Sequence, residues 1–327
     1  MKKILIIGKN SYIGNSFQEW MRQYQTEYAI DKISSRNDEW KQLDFGKYDA
    51  ILHVAGIAHV DAKADMEQQY YAVNRDLTIS CCKKAKEDGA GQFIFLSSII
   101  VYGESKSLEP VVITPDTKPE PNGFYGGSKL EAEEGILPLA EEGFTVSVIR
   151  PPMVYGKGSK GNYPKLAKLA GITPVFPNID NQRSMIHIDN LCECIRLVIN
   201  EKMGGIFCPQ NREYVSTTEL VKEISSQKGK KMYLIGIFNP LLRLMAKKIT
   251  FINKVFGSFV YAKECSDCFG WDYCVWDFKE TIMLENAIWN EFGTGEYSLH
   301  GDGRKSAWYV PVDGIKGKRS RHLMEVL

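Results

Sequence analysis

The sequence lacks an excess of charge of either sign. Its 327 residues include 41 Lys and Arg and 40 Asp and Glu, which gives a formal net charge of +1. A nucleic acid or a strongly acidic partner bound through bulk electrostatics is therefore not expected.

Long apolar runs are also missing. The apolar run that begins at Ile4 stops at Gly8 and is too short for the apolar part of a signal peptide. The longest uncharged apolar stretch extends from Met232 to Leu242, whereas a membrane-spanning helix needs about 20 such residues. We expect no membrane span and a cytoplasmic protein.

The eight cysteines do not form a framework of regularly spaced pairs. Without a secretory signal, a reducing compartment is the default for a chain of this size. Cys265 and Cys268 form one CxxC pair followed by Cys274, but a single pair without a second is a weak zinc signal. We expect ordinary thiols and no metal ion.

Strand-like and helix-like patterns alternate through the first half of the chain. Such alternation predicts parallel β-α-β units and a doubly wound parallel sheet of the α/β class, a Rossmann fold. The expected strands are Lys3–Ile7, Tyr28–Ile33, Ala50–Val54, Gln92–Leu96 and Thr145–Ile149, and the expected helices are Asn15–Tyr24, Met66–Lys86 and Ser128–Ala140.

The pattern changes after Arg150, where Pro and Gly residues mark loops. We expect residues 1–160 to form the dinucleotide-binding domain, with 181–204 returning to it. Residues 161–180 and 205–284 would form a smaller substrate-binding region over the carboxyl ends of the strands, where ligands bind in such folds. Within it, the apolar and lysine-rich stretch Met232–Tyr261 favours core packing over the alternative of a membrane-surface helix. Residues 285–327 have little pattern and predict a flexible extension.

A phosphate-binding turn is predicted between the first strand and the first helix. Gly8 and Gly14 flank Ser11, which replaces a middle glycine. A helix N-terminus at this place offers free N–H groups to a pyrophosphate. At the end of the second strand no carboxylate is found, but Arg36 is present. An arginine there favours NADP, whose 2′-phosphate it can neutralise, although a solvated loop residue is the alternative.

Tyr125 and Lys129 are four residues apart, one turn of a helix from each other. Lowering the pKa of a tyrosine from about 10 by about 3 units requires about 4 kcal/mol. An ammonium group at about 5 Å supplies roughly 3 kcal/mol at an effective dielectric constant of ~20. Ser97 and Ser98 end a predicted parallel strand, at the edge of the sheet where chemistry occurs. The three side chains of Ser98, Tyr125 and Lys129 predict general acid–base catalysis.

Together these motifs resemble the extended short-chain dehydrogenase/reductase family, in its NAD-dependent epimerase/dehydratase branch. The resemblance covers roughly residues 1–284. Further motifs that carry it are His53-Val-Ala-Gly56, Asn74 in Val-Asn-Arg-Asp, Ser97-Ser98 with Tyr102-Gly103, Arg150-Pro-Pro-Met-Val-Tyr-Gly156 and Arg183-Ser-Met-Ile-His-Ile-Asp189.

The resemblance implies a role for each matched residue. Tyr125 would be the acid–base, Ser98 its helper, and Lys129 the residue that holds the nicotinamide ribose. Asn162 and Arg183 would hold the diphosphate of a UDP-hexose. Ala55 and Gly56 would pass under the cofactor, and Asp44 and Phe45 would lie by the adenine. The residues expected to contact the cofactor are Gly8, Ser11, Tyr12, Ile13, Gly14, Arg36, Asp44, Phe45, Val54, Ala55, Gly56, Asn74, Ser97, Lys129 and Pro152.

Departures from the family pattern narrow the expected reaction. Dehydratase relatives have Asp-Glu where this chain has Ile99-Ile100, which cannot move protons, so 4,6-dehydration is not expected. Ala58 stands where galactose-type epimerases often have lysine. Together with Arg36, Ala58 favours a released NADPH over a tightly retained NAD. Within this branch the chain looks most like bacterial enzymes that make deoxy-sugars for capsule or O-antigen, and this resemblance implies a UDP-4-keto-sugar reductase of surface-polysaccharide biosynthesis. The alternative is an NAD-dependent 4-epimerase. A more remote alternative is a non-catalytic dinucleotide sensor, but a sensor is expected to lack one or more of Ser98, Tyr125 and Lys129, and all three are present. The family resemblance also implies a homodimer.

Overall fold

The computed structural model describes residues 1–58, 64–104, 108–237, 239–246, 249–286, 295–301 and 304–310. Within these ranges six strands form one parallel sheet in the order β10-β6-β4-β3-β1-β2. The expected doubly wound α/β fold is thereby confirmed. These strands are β1 (Lys2–Ile7), β2 (Tyr28–Ile33), β3 (Ala50–His53), β4 (Gln92–Leu96), β6 (Thr145–Ile149) and β10 (Gly205–Phe207).

The β1 strand occupies the position where the order of the strands reverses: β2 lies on one side of it, and β3 and the later strands lie on the other. It pairs with β2 on one side, with Ile4 opposite Ile30, and with β3 on the other, with Ile4 opposite Ala50. Residues 4–7 of β1 are fully buried because helices cover both faces of the sheet. In open α/β sheets the ligand crevice lies at the carboxyl ends of strands around such a reversal. This places the candidate site after β1 and β3.

Helices of the first unit cover both faces of the sheet. On one face, Phe17 and Trp20 of the first helix pack with Leu191 and Ile195 in one apolar cluster. On the other face, Cys82 packs in a second apolar cluster. The helices of the described ranges are α1 (Tyr12–Trp20), α2 (Glu39–Gln42), α3 (Glu67–Tyr70), α4 (Leu77–Glu87), α5 (Phe124–Ile136), α6 (Asn162–Ile172), α7 (Ile188–Asn200), α8 (Thr217–Gln227), α9 (Asn239–Ala246), α10 (Thr250–Phe256), α11 (Lys263–Ser266) and α12 (Phe278–Asn286).

Two helices differ from the sequence expectation in ways that matter for the site. The helix expected over Met66–Lys86 is divided, because a π-helical turn, Tyr71–Asp76, separates α3 from α4. The helix expected from Ser128 begins four residues earlier, at Phe124, so that Tyr125 lies in its first turn.

The second unit packs around its own apolar cluster, which includes Phe176, Val221, Ile224 and Phe256. Its short parallel strand pairs are β5 (Val111–Ile113) with β12 (Phe259–Tyr261), β7 (Met153–Tyr155) with β9 (Met185–His187), and β8 (Val175–Pro177) with β11 (Tyr233–Ile235). The expected boundary after residue 204 is too early, because β10 pairs with β6 and completes the central sheet.

Residues 285–327 lie largely outside the described ranges. Where the sequence predicts an extension without regular structure, β13 (Gly295–Gly301) pairs antiparallel with β14 (Arg304–Val310). No helix within the described ranges is both long and apolar enough to span a bilayer.

Candidate active site

The turn after β1 has the geometry of a phosphate-binding loop. Gly8 has a φ of +123°, and a Cβ there would lie 2.9 Å from the backbone nitrogen of Ala55. The carboxyl ends of β1 and β3 therefore approach each other more closely than a side chain would permit. A ligand can reach the backbone N–H groups at the N-terminus of α1.

Ser11 explains why this turn does without a middle glycine. Its side chain caps α1 by accepting a hydrogen bond from the backbone nitrogen of Gly14 at 3.3 Å. Its φ of −67° is one that any residue adopts. The replacement stabilises the first turn of the helix and leaves its other N–H groups available.

Gly56 forms the opposite wall of the crevice. A Cβ there would lie 3.0 Å from Asn74 Oδ1 and 3.1 Å from Lys129 Nζ. Asn74 is fully buried in the π-helical turn and holds Ile57 on both sides: Oδ1 accepts from the Ile57 nitrogen at 2.8 Å, and Nδ2 donates to the Ile57 oxygen at 3.2 Å. π-Helical turns are frequent at functional sites because they redirect one side chain. The loop after β3 is thereby fixed to the π-helical turn, and Asn74 Nδ2 also donates to Ser128 Oγ of α5 at 3.1 Å. Because Gly56 has no side chain, this wall leaves room for a dinucleotide.

The predicted catalytic side chains meet at the carboxyl end of β4. Tyr125 and Ser98 are joined by a side-chain hydrogen bond. Lys129, one turn further along α5, is only 5% exposed and donates from Nζ to the Leu96 oxygen at 2.9 Å. The arrangement can hold one ligand oxygen between a phenol and a hydroxyl, next to a buried cation.

The protein's own groups do not activate Tyr125 in the way that the sequence suggests. Burial raises the pKa of Tyr125 to about 12, while the hydrogen bond with Ser98 acts in the lowering direction. Burial also lowers the pKa of Lys129 to about 8, against the opposing effect of Glu133. Desolvation therefore dominates the pKa of Tyr125, and the expected lowering by Lys129 is not among its causes. A further positive charge at the site is required to make Tyr125 a base near neutral pH.

Sequence reasoning missed Glu133, the third member of a series on α5. Lys129 and Glu133 contact two successive residues at the end of β4: Lys129 the Leu96 oxygen, and Glu133 the Ser97 hydroxyl, which donates to Glu133 Oε1. The spacing of four residues from Tyr125 to Lys129 continues to Glu133, and this was the available signal.

Glu133 forms a buried ion pair with Arg150, whose Nε lies 3.1 Å from Oε1. Arg150 also donates from Nη1 to the Tyr102 hydroxyl at 2.6 Å. Because a buried charge is costly without its partner, this pair fixes α5 relative to β4 and the segment after β6.

On the substrate side, Asn162 and Arg183 line one small cavity, together with Met153, Leu166 and Met185. Asn162 begins α6, and Arg183 Nη1 donates to the Gly257 oxygen at 3.2 Å. Burial lowers the pKa of Arg183. A cation in a largely apolar cavity beside a helix N-terminus is suited to an anion.

Asp44 and Phe45 do not lie where the resemblance places them. The Phe45 nitrogen donates to Asp88 Oδ2 at 2.8 Å, and Asp88 directly follows α4, at the amino edge of the sheet. Phe45 is fully buried, and Asp44 Oδ1 accepts from the Gly46 nitrogen. The short helical turn Phe45–Lys47 leads directly into β3, so both residues are on the edge opposite the crevice and are wrong as adenine contacts.

The remaining expected cofactor residues divide by position. Ser97 is 4% exposed and gives its hydroxyl to Glu133, so its side chain is not available to a ligand. Arg36 is exposed just beyond β2. The Tyr12 ring lies beside Gly158. Ile13 and Val54 are partly buried beside the crevice strands, and Pro152 is buried. No group of three or more His, Cys, Asp or Glu side chains within the described ranges is arranged to hold a metal ion.

Comparison with known proteins gives a consistent picture. The sequence profile of the NAD dependent epimerase/dehydratase family matches residues 4–207. UDP-glucose 4-epimerase of Vibrio cholerae is 28% identical over 299 residues, which is 83% of this chain and 90% of that protein. N-acetyl-alpha-D-glucosaminyl-diphospho-ditrans,octacis-undecaprenol 4-epimerase of Escherichia coli O157:H7 is 26% identical over 78% of this chain and 81% of its own length.

Solved structures share the fold. UDP-N-acetylglucosamine 4-epimerase from Bacillus cereus superposes with a TM-score of 0.67 at 17% identity, over 88% of this chain and 98% of that one. A dTDP-4-dehydrorhamnose reductase from Bacillus anthracis, solved with NADP, gives 0.62 at 18% identity, over 80% and 90%. At these identities the structural likeness concerns the fold alone.

Proposed function

The chain belongs to the NAD dependent epimerase/dehydratase family, and from this premise we propose that it is a nucleotide-sugar 4-epimerase. The sequence favours a reductase, with the epimerase as the alternative. We now prefer the epimerase because the relatives that match most of both chains are 4-epimerases. Ile99 and Ile100, which follow Ser98 at the carboxyl end of β4, provide no group for the proton transfer of a dehydration.

The observation that carries the proposal is the hydrogen bond between Ser98 and Tyr125 beside the buried ammonium group of Lys129. Two hydroxyls in contact at the crevice can both bind the oxygen on C4 of a sugar. Tyr125 would remove the proton of that hydroxyl and later return it, while Ser98 holds the oxygen. Neither step needs a further titratable side chain.

A bound nicotinamide would take up the hydrogen of C4 with its electron pair and return it, and its oxidised ring carries the positive charge that Tyr125 needs. Gly8, Ser11 and Gly14 would hold its pyrophosphate, and Gly56, Asn74 and Lys129 its nicotinamide end. Returning the hydrogen to the other face of the sugar inverts C4. Asn162 and Arg183 would hold the substrate diphosphate while the 4-keto sugar turns over in the site.

For the cofactor, we retain the preference for NADP that rests on Arg36. Its exposed position beyond β2 is suited to a 2′-phosphate. We expect the chain to bind NADP at least tenfold more tightly than NAD, and we expect Arg36→Ala to remove this difference. Equal affinities in the parent chain would mean that Arg36 has no such role.

The test is direct observation of the sugar. The full chain is incubated with NAD or NADP and a panel of UDP-hexoses and UDP-N-acetylhexosamines, and C4 epimers are followed by proton NMR. A polyprenyl-diphosphate-linked sugar joins the panel because the Escherichia coli relative is named for such a substrate. We expect interconversion without net change in reduced cofactor, abolished in Tyr125→Phe and kept in Tyr48→Phe, a surface tyrosine bound to Asp31.

Two outcomes would contradict the proposal. Consumption of one NADPH per 4-keto sugar, with no interconversion of epimers, would make the protein a reductase. Cofactor binding without turnover of any sugar, in parent chain and Tyr125→Phe alike, would make it a sensor.

A further inference from the structure

Exposed large apolar side chains are concentrated on one part of the second unit. Of the thirteen found within the described residues, ten lie between residues 169 and 249, and eight of these ten, all except Met203 and Ile206, belong to the second unit. Ile237 is 79% exposed, Ile172 70% and Leu244 64%. We call the exposed residues of α6, β8, β11, α9 and the segments beside them the apolar-basic face; its main apolar members are Leu169, Ile172, Val175, Tyr233, Ile237 and Leu244.

Backbone and side-chain hydrogen bonds join the elements that carry these residues. Val175 is the register partner of Tyr233 in the β8–β11 pair, and the Tyr233 nitrogen donates to the Pro174 oxygen at 2.8 Å. Two residues before Pro174 is Ile172, at the end of α6. On the other side, Asn239 of α9 donates from Nδ2 to the Asn178 oxygen at 2.7 Å. The elements that carry these apolar residues, although distant in sequence, are therefore neighbours in the fold.

The charge of these elements is of one sign. Residues 162–172, 228–237 and 239–256 contain nine Lys and Arg and no Asp or Glu, whereas the remaining residues hold the other 32 cations and all 40 acids. Lys168, Lys230 and Lys231 are exposed. Lys230 donates to the Gly171 oxygen, and Lys231 Nζ lies 5.2 Å from the Tyr233 ring centroid. The lysines thus border the apolar residues directly.

Core packing accounts for only part of this stretch. Ile252, Val255 and Phe256 of α10 are buried in the second unit, as the sequence predicts for Met232–Tyr261. Leu244, Met245 and Ile249 are exposed instead, in the same stretch. The expectation of core packing therefore applies to α10 and not to the outer face of α9.

We propose that the apolar-basic face docks the protein on the surface of a bilayer that contains anionic phospholipid. Apolar side chains that enter the headgroup region, bordered by cations, are the pattern of interfacial binding. Each lysine near an anionic surface adds to the attraction. A second copy bound through the same face would bring two surfaces rich in Lys and Arg together, which disfavours self-association. This inference does not depend on the reaction proposed above.

The experiment is co-sedimentation of the full chain with vesicles of phosphatidylcholine alone or mixed equally with phosphatidylglycerol. We expect the mixed vesicles to bind at least tenfold more tightly, and salt at 0.5 M to reduce that binding strongly, because it screens surface charge. Ile237→Glu with Leu244→Glu should weaken binding at least tenfold. Ile206→Glu, a 45% exposed position on the edge strand of the central sheet, should not.

Circular dichroism and turnover of a water-soluble nucleotide sugar check that the variants are folded, since none of these residues lies in the site. Equal binding to both vesicle types, no binding, or identical binding by parent and the Ile237/Leu244 variant would overturn the proposal. A change of molar mass by light scattering in that variant, with vesicle binding unchanged, would show instead that a second copy covers the face.

Discussion

Lys129→Met is expected to stabilise the cofactor-free protein at neutral pH while it removes a catalytic group. Burial lowers the pKa of Lys129 to about 8 from 10.5. At about 1.36 kcal/mol per unit, keeping this ammonium charged in the folded state costs about 3 kcal/mol. Methionine avoids this cost but loses the hydrogen bond to the Leu96 oxygen, which contributes about 1.5–3 kcal/mol when charged. The net gain at pH 7 is therefore about 0–2 kcal/mol.

The pH dependence is the sharper test, because it follows from the folded and unfolded pKa values of Lys129 alone and not from the strength assigned to the hydrogen bond. Between pH 8 and 10.5 the unfolded chain holds the proton of Lys129 and the folded chain does not, so rising pH favours the folded parent. The cost is fully present below pH 8 and disappears above pH 10.5. Linkage predicts that the advantage of Lys129→Met falls by about 2 kcal/mol between pH 7 and 9.5.

Urea unfolding at both pH values, followed by tryptophan fluorescence, measures this difference. The buried thiols oppose the trend in each protein, since burial raises the pKa of Cys81 to about 12, but they cancel in the comparison. Lys83→Met, an exposed position on the neighbouring α4, is the matched control and should show the same difference at both pH values. A Lys129→Met difference that is also constant with pH would refute the reasoning.

Three further predictions concern the site. Tyr125→Phe should reduce turnover by about 10²–10⁴-fold while cofactor affinity, by fluorescence titration, stays within about threefold; unchanged turnover would exclude the phenol. Glu133→Gln should destabilise by about 3–5 kcal/mol because it leaves Arg150 charged and buried, and Arg150→Met in the same chain should restore part of this; a loss below about 1 kcal/mol by denaturation would contradict the role of the pair. Arg183→Met should raise KM by about tenfold or more with little change in kcat, since it removes about 1.5–3 kcal/mol of charged hydrogen bonding to the diphosphate; a fall in kcat at constant KM in steady-state kinetics would place Arg183 in the chemical step instead.

The central sheet could be predicted because its signals are local. The continuous apolar run of β1, buried on both faces, and the glycine that follows it identify the strand and the turn within eight residues. Ser98, Tyr125 and Lys129 were found for the same reason: a strand end and a single turn of helix bring them together. The turn after β1 and these three side chains lie at the same edge of the sheet because its strands are parallel.

Long-range pairing could not be read from the sequence. Glu133 lies opposite Arg150 only because β6 is the neighbour of β4, and nothing near Glu133 indicates this partner. Asp44 and Phe45 failed as adenine contacts because Phe45–Lys47 forms a helical turn. Such a turn advances about 2 Å per residue, too little to cross the sheet from its carboxyl edge before β3 begins.

The interleaving of the two units has a consequence for how the molecule can be divided. The chain leaves the sheet after β6, comes back for α7 and β10, and then departs again. Tyr273, which belongs to the late part of the chain, lies in the apolar cluster beneath α7. No single cut therefore yields an intact nucleotide-binding half. Loss of the late segment would expose part of that apolar cluster, so the two units depend on each other for folding.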